Sequence, residues 1–478
     1  MKKLACSLLI IIFVASSTLF MGNVHASSAV GGLITSDTTW SAARSPYQLT
    51  GPVGVPSGVT LTIEPGATVD FSTYYLQVNG TLNARGTSDN KINLMTTAST
   101  VTTSQVQLMP SSTSWSDQTG SGCIIENASL NTASIIVRSC SPKISNNVFN
   151  TPFWMAVSAT GGGSPSITGN VINNATTEGV SVTGSSIVEN NLFNGTSGEY
   201  TPTALVAHNN AYVLNNKILN YYNGINVDGE VTVKDNVVTG CSNTGIISVS
   251  SKVSIQSNYV ANNQIGIGVG MTPNGFIDGG GIIENNAIIN NAIGIQILST
   301  LSSVTVTNNN IVGSTKNSVS LNIGSNIDAT NNWWGTTDTQ AINQTIRDFK
   351  NDFNLGVVNF IPVLNQPSST APSNADIDLG QLPTAVPTSQ SQPTNTPANT
   401  IQGTQPTVTS PNSLGAVSGS SSADDPLAHL NVIEVIEIVL IIVGIVWGIG
   451  ILAYVNRRSQ KKTTKRARRR KAARKTIN

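Results

Sequence analysis

Glu126-Asn127-Ala128, Asn146-Asn147-Val148, Gly169-Asn170-Val171, Asn190-Asn191-Leu192, Asn215-Asn216-Lys217, Asp235-Asn236-Val237, Ser257-Asn258-Tyr259, Asn285-Asn286-Ala287, Asn309-Asn310-Ile311 and Asn331-Asn332-Trp333 are one phrase, returning on average about every 23 residues. A fixed period of this length is the signature of a solenoid and decides how the rest of the chain is read. A second phrase recurs half a period later: Gly179-Val-Ser-Val182, Gly224-Ile-Asn-Val227, Gly245-Ile-Ile247, Gly266-Ile-Gly-Val269 and Gly294-Ile-Gln-Ile297. Between the phrases, runs such as Val231-Thr-Val233 and Val253-Ser-Ile255 alternate apolar and polar residues with the period of a strand.

Each unit therefore reads as about three short strands joined by bends, and no unit closes a core alone. Stacked units do, because the inward Val and Ile of one coil meet those of the next, with parallel strands about 4.8 Å apart. Asparagine suits the bends because it tolerates a left-handed backbone better than other non-glycine residues. Its amide also bonds to its counterparts above and below. Asn127, Asn147, Asn170, Asn191, Asn216, Asn236, Asn258, Asn286, Asn310 and Asn332 are the expected ladder.

The phrases Gly224-Ile-Asn-Val227 and Asp235-Asn-Val-Val238 resemble the repeat shared by pectate-lyase-like and NosD-like proteins. The ending Asn331-Asn-Trp-Trp-Gly-Thr336, with Asp348 and Phe360-Ile-Pro362, is similar to how many secreted members close their coil. The resemblance covers roughly residues 30 to 364. It implies an all-β right-handed single-stranded parallel β-helix, to which the composition of the chain beyond it adds a C-terminal stalk and one transmembrane helix. It is weak for function, since the scaffold hosts lyases, hydrolases, epimerases and plain binding proteins.

The expected domains are a signal peptide (1–26), an N-terminal cap and first coils (27–105), β-helix repeats (106–335), a C-terminal cap (336–364), a stalk (365–429), a transmembrane helix (430–455) and a cytoplasmic tail (456–478). Lys2 and Lys3, an apolar run and Val24-His-Ala26 carry the signal. Trp40 and Tyr47 mark the N-terminal cap. Asp338 is expected to cap a short helix with Ile342, Ile346 and Phe349 on one face, and Trp333 and Trp334 to pack beneath it. The stalk is Pro, Ser, Thr and Gln, a composition that buries no core. Ile438 to Val455 is apolar without interruption and is followed by a basic cluster, which predicts a single-pass type I protein with its bulk extracellular.

Formal net charge is +1, but 12 of the 25 Lys and Arg lie in the tail, leaving the exported part at about −11. That disfavours nucleic acid as a partner. Cys123, Cys140 and Cys241 follow the signal; Cys123 and Cys140 lie on neighbouring coils but out of register, so a bridge and free buried thiols are both open. Asn79, Asn127, Asn174, Asn194 and Asn343 begin glycosylation sequons.

Chemistry-bearing residues are sparse. Arg138, Lys143, Lys217, Lys234, Lys252 and Lys316 form no lyase-like pattern, and there is no phosphate loop, zinc spacing or nucleophile elbow. His208, Asn209 and Asn210 follow one strand, and Asp228 and Glu230 come about one coil later at the same corner. Outward Asn226 and Gln296 share that face, and Tyr221 and Tyr222 offer rings for sugar stacking unless one points inward. The step from 258 to 286 holds an extra loop, Met271 to Gly280, which contains Asp278.

Two functions follow. One is a non-catalytic surface protein that binds cell-surface or extracellular polysaccharide or builds a cell envelope, with no metal or cofactor. The other is an extracellular polysaccharide lyase or glycoside hydrolase, with calcium if a lyase.

Overall fold

The computed structural model describes residues 27–98, 105–152, 154–196, 201–250, 252–272, 275–276, 279–299 and 304–373. The expected signal peptide, stalk beyond Ser373, transmembrane helix and basic tail, together with Asp278, lie outside the described residues. Among the described residues, no helix is long and apolar enough to cross a membrane.

One turn shows the pattern. A long strand, Asn223–Asp228, is followed by a corner at Gly229, a middle strand Thr232–Lys234, a bend at Asp235, a short strand Val237–Thr239 and a second bend at Gly240. The next long strand then begins at Thr244. Each strand pairs in parallel with its equivalents one turn away, Ile225 with Ile246, Val233 with Ile255 and Val238 with Val260. The middle strands alone make a 14-stranded sheet, and the solenoid completes about 13 turns. Ile225, Val227, Val233 and Val238 point inward and are fully buried, and their equivalents form one apolar column from Trp40 to Val358. Burial of this kind, about 25 cal/mol per Å² of apolar surface, is the main stabilising term.

The recurring glycines have a steric cause. A Cβ on Gly224 would lie 2.3 Å from the carbonyl oxygen of Gly245, and one on Gly245 would lie 2.7 Å from that of Gly266. Glycine is required because backbone, which cannot move aside, fills the space.

The asparagine phrase divides its labour between two neighbours. The left-handed residue is the first, as at Asn146 (φ 57°), Asn190 (φ 57°), Asn215 (φ 49°) and Asp235 (φ 58°). The second turns its amide inward and is essentially inaccessible at Asn147, Asn170, Asn191, Asn216, Asn236, Asn258, Asn286, Asn309 and Asn332. Asn216 shows the bonding. Its Oδ1 accepts from the Asn191 main-chain N–H (3.0 Å) and Nδ2 (2.9 Å), while its own Nδ2 donates to Val188 O (2.9 Å) and Asn236 Oδ1 (3.0 Å).

Two expected members are therefore displaced by one residue. Asn127 is the left-handed residue of its bend (φ 51°), so Ala128 takes the inward place and donates its N–H to Asn147 Oδ1 at 2.8 Å. In Asn308-Asn309-Asn310, Asn309 is the inward amide and Asn310 opens the following strand. A shorter ladder lines the second bend: Asn291 Oδ1 accepts from Asn263 N–H (2.9 Å) and Nδ2 (3.1 Å), and Asn263 Oδ1 accepts from Cys241 N–H (2.8 Å).

Cys123, Cys140 and Cys241 are free and buried, so Cys123 and Cys140 form no bridge. Burial pushes the Cys140 thiol up to about 11, with Cys123 beside it adding to the rise, and Cys241 up to about 12. The folded chain keeps these protons above pH 9, where an unfolded thiol loses them, so their stabilising effect is complete below that pH and is lost as pH rises towards 11 and 12. Urea unfolding midpoints should fall across pH 9 to 11, more steeply for the native chain than for Cys241→Ala. Equal slopes would remove Cys241 as the cause.

Both ends are covered. Trp40 and Tyr47 stack at 5.0 Å, and the Tyr47 hydroxyl accepts from Ser41 N–H at 2.8 Å. At the other end the helix is only Thr339–Gln344, capped by Asp338 Oδ1 on Gln340 N–H (2.9 Å) and Ala341 N–H (3.3 Å). Ile342 is buried there, but Ile346 belongs to a short strand pairing with Val319, and Phe349 is exposed against Phe353. The expected three-residue helix face is thus cut short by the strand. Trp334 packs edge-on to Phe360.

Beyond the cap the chain reverses. Leu364 N–H donates to Asn332 O (3.0 Å), Ser368 N–H to Asn310 Oδ1 (2.7 Å) and Thr370 Oγ1 to Asn285 Oδ1 (2.6 Å). Residues 364–373 therefore run back over the outward face of the short strands.

Candidate functional site

The corner after the long strands positions the polar residues. His208 and Asp228 end neighbouring long strands and are register partners, which places His208 Nδ1 3.7 Å from Asp228 Oδ2. Both side chains are open to solvent, at 37% and 52% exposure, so the pair is an accessible imidazole–carboxylate contact rather than a core bridge. Asn209 and Asn210 are both left-handed (φ 48° and 65°). Asn209 N–H donates to Asp228 O at 3.0 Å, and its side chain lies against Gly229, where a Cβ would come within 2.6 Å of Asn209 Oδ1. The left-handed glycine lets these two corners stack closely.

Asn226 and Gln296 occupy one outward row, which runs Ser158, Ser181, Val206, Asn226, Ile247, Gly268, Gln296, Ser320. They are three turns apart, about 14 Å at the usual strand spacing. Glu230 sits past the corner and pairs with Lys252 at 3.5 Å, away from His208 in partnership.

The tyrosines separate. Tyr221 follows the second bend and takes the same inward position as Cys241, so it is buried to 1% and is unavailable for stacking on a sugar. Tyr222 is half-buried, its carbonyl accepting from Asn243 N–H at 2.9 Å. The loop after Val269 contains a two-residue antiparallel hairpin, Met271–Thr272 with Gly275–Phe276.

Two outward features were not foreseen from sequence. Trp115 lies on an excursion between Leu108 and Ile124 with Arg85 (5.0 Å) and Lys143 (5.6 Å) beside its ring. Its Nε1 donates to Asp117 Oδ1 at 2.8 Å, and that bond, then Lys143, holds the Asp117 carboxyl below its ordinary value. The cluster is closed by internal pairing. The second is an amide row on the short strands, where Asn150, Asn173 and Asn194 each donate Nδ2 to the Oδ1 of the preceding member, Asn131, Asn150 and Asn173, at 3.0 Å. Its only sequence signal is asparagine at the last place of four successive short strands.

Residues 187–351, about a third of the chain, match the family model described as "Periplasmic copper-binding protein (NosD)". With the stacked turns above, the chain is a right-handed parallel β-helix repeat protein of the pectate-lyase-like fold, and those residues are similar to the NosD family. A stretch of 71 residues is 41% identical to Protein bark beetle of Drosophila melanogaster, covering 15% of this chain and 2% of that protein. The chain thus spans only a small fraction of that relative's length.

Among solved structures, the alginate lyase AlyF-OU02 in complex with G6 is 13% identical, with TM-score 0.32, over 75% of this chain and 84% of that one. A double mutant of the periplasmic alginate epimerase AlgG is 12% identical, with TM-score 0.31, over 70% and 85%. Likeness at these values says nothing of substrate.

Proposed function

We propose that the chain is a membrane-anchored cell-surface protein that holds an extracellular polysaccharide along the outward row of its long strands without cleaving it. The observation that carries this reading is the His208–Asp228 contact, solvent-open and set two residues beyond the Asn226 row, on the same face of the strands. A carboxylate, an imidazole and amides in register offer several donors and acceptors to the hydroxyls of one extended chain. The anchor rests on the apolar run Ile438 to Val455 and the basic residues after it.

A second reading, cleavage as a lyase or hydrolase, is favoured by the same contact, since an imidazole beside a carboxylate is the arrangement of a general base. Calcium would accompany a lyase. Copper, named in the family description, does not suit the residues present. Among the described residues there is no grouping of three or more His, Cys, Asp or Glu side chains, and all three described cysteines are buried.

Glycan binding by the full-length chain in detergent micelles tests the proposal. Asp228→Ala should weaken retention at least about tenfold, as expected for a hydrogen bond to a charged group, with an unchanged unfolding midpoint. Undiminished binding would sink the site. Product release from a polysaccharide panel, with or without calcium, and its loss in Asp228→Ala would replace binding by catalysis.

A further inference from the structure

We propose that residues 364–373, which return over the short strands, form with them a binding site for an uncharged sugar, separate from the His208–Asp228 corner. The returning chain contributes Pro367, Ser368 and Ser369 to two adjoining cavities. One, of about 380 Å³, has a wall of Tyr259, Ala287, Ile289, Val312 and Trp333. The register of the short strands sets Tyr259, Ala287 and Asn310 in one outward row, and a parallel bridge adds Trp333 next to Asn310. Trp333 therefore heads this row, half-buried, rather than packing beneath the C-terminal cap. Ser368 exchanges two hydrogen bonds with Asn310, at 2.7 and 3.3 Å, which fix the returning chain over the row.

The other cavity, of about 330 Å³, is lined by Asn285, Asn308, Asn365, Gln366 and Thr370. Asn285 and Asn308 are the left-handed residues of successive bends (φ 58° and 57°), so their amides stay outside while Asn286 and Asn309 turn inward. Thr370 Oγ1 donates to Asn285 Oδ1 at 2.6 Å, whereas the amides of Asn308, Asn365 and Gln366 bond to no described residue.

The chemistry of the two walls sorts the ligands. Aromatic rings with aliphatic neighbours accept the C–H face of a sugar ring, and carboxamides both donate to its hydroxyls and accept from them. An apolar cavity of this size with a few convergent polar groups is the usual form of a small-ligand site. Among the described residues, no charged side chain lines either cavity, so a carboxylate or phosphate entering it would lose water without gaining a counter-ion. A neutral hexose or N-acetylhexosamine unit is the class that fits.

Amide hydrogen exchange of the full-length chain in detergent micelles tests this, read peptide by peptide with uncharged oligosaccharides of glucose, mannose and N-acetylglucosamine. Exchange over residues 364–370 should slow at least about fivefold with one of these sugars, and an oligosaccharide of uronic acid should leave it unchanged. Trp333→Ala should abolish the slowing, and Trp333→Phe, which keeps a ring, should retain most of it. Asn365→Ala with Gln366→Ala, both exposed, should weaken the affinity at least about fivefold at an unchanged unfolding midpoint.

No slowing with any uncharged sugar would overturn the proposal, as would equal slowing by the uronic acid chain. So would exchange that is slow before any sugar is added and unchanged after, which gives the cavities to another part of the chain. The readout is confined to residues 364–370, so a failure of glycan binding at the His208–Asp228 corner is told apart from a failure here.

Discussion

Replacing Asn216 with leucine is expected to lower the unfolding free energy by about 4 kcal/mol, read as a fall in the urea midpoint. The side chain fits the volume but removes both halves of the amide. Asn191 N–H loses its acceptor at 3.0 Å and Val188 O its donor at 2.9 Å, both fully inside the wall. Each orphaned buried group costs about 1–3 kcal/mol, and the leucine supplies no partner. Asn131→Ala, at the first member of the part-buried outward amide row, breaks one bond to Asn150 that water can replace, and should cost under about 1 kcal/mol. Similar losses at both positions would mean that the inward amides are not what joins the turns.

Gly224→Ala should cost about 3 kcal/mol, the upper range for overpacking, although it adds a single carbon. The new Cβ would fall 2.3 Å from Gly245 O and 2.6 Å from Val238 Cγ1, and the first of these is backbone in an adjoining turn. Gly162→Ala has open space around it and is the matched control, with an expected change near zero. Thermal unfolding of the two variants side by side checks the difference. A tolerated Gly224→Ala would show that neighbouring turns separate readily.

The period, the parallel stacking and the inward Val and Ile rows were legible because each is enforced in every turn. What escaped was anything decided by a single residue of register. Glu126-Asn127-Ala128 and Asn308-Asn309-Asn310 both contain the repeating letter, but left-handed backbone and inward amide are adjacent demands, and asparagine satisfies either. Ala128 shows that the inward place can even be surrendered, its N–H still served from Asn147.

Tyr221 was ambiguous for the same reason, since the residue after the second bend is inward whatever its type. At the candidate corner, the proximity of His208 to Asp228 followed from counting one turn. The partnering of Glu230 with Lys252 depended on side-chain reach, which no spacing records. The return of residues 364–373 over the short strands had no periodic signal at all, because a segment that packs on a finished surface obeys the surface's pattern rather than its own.

The wall of buried amides has one more implication, for how such a molecule changes size. Every amide is answered by the turn on either side and by nothing further away, so no turn knows how many others exist. The segment from Lys217 to Asn236 is one complete unit, and its loss would set Asn216 directly before Val237 with each contact re-formed. Height is therefore a free variable, adjustable by duplication or excision in increments of about 4.8 Å, while both covers stay as they are.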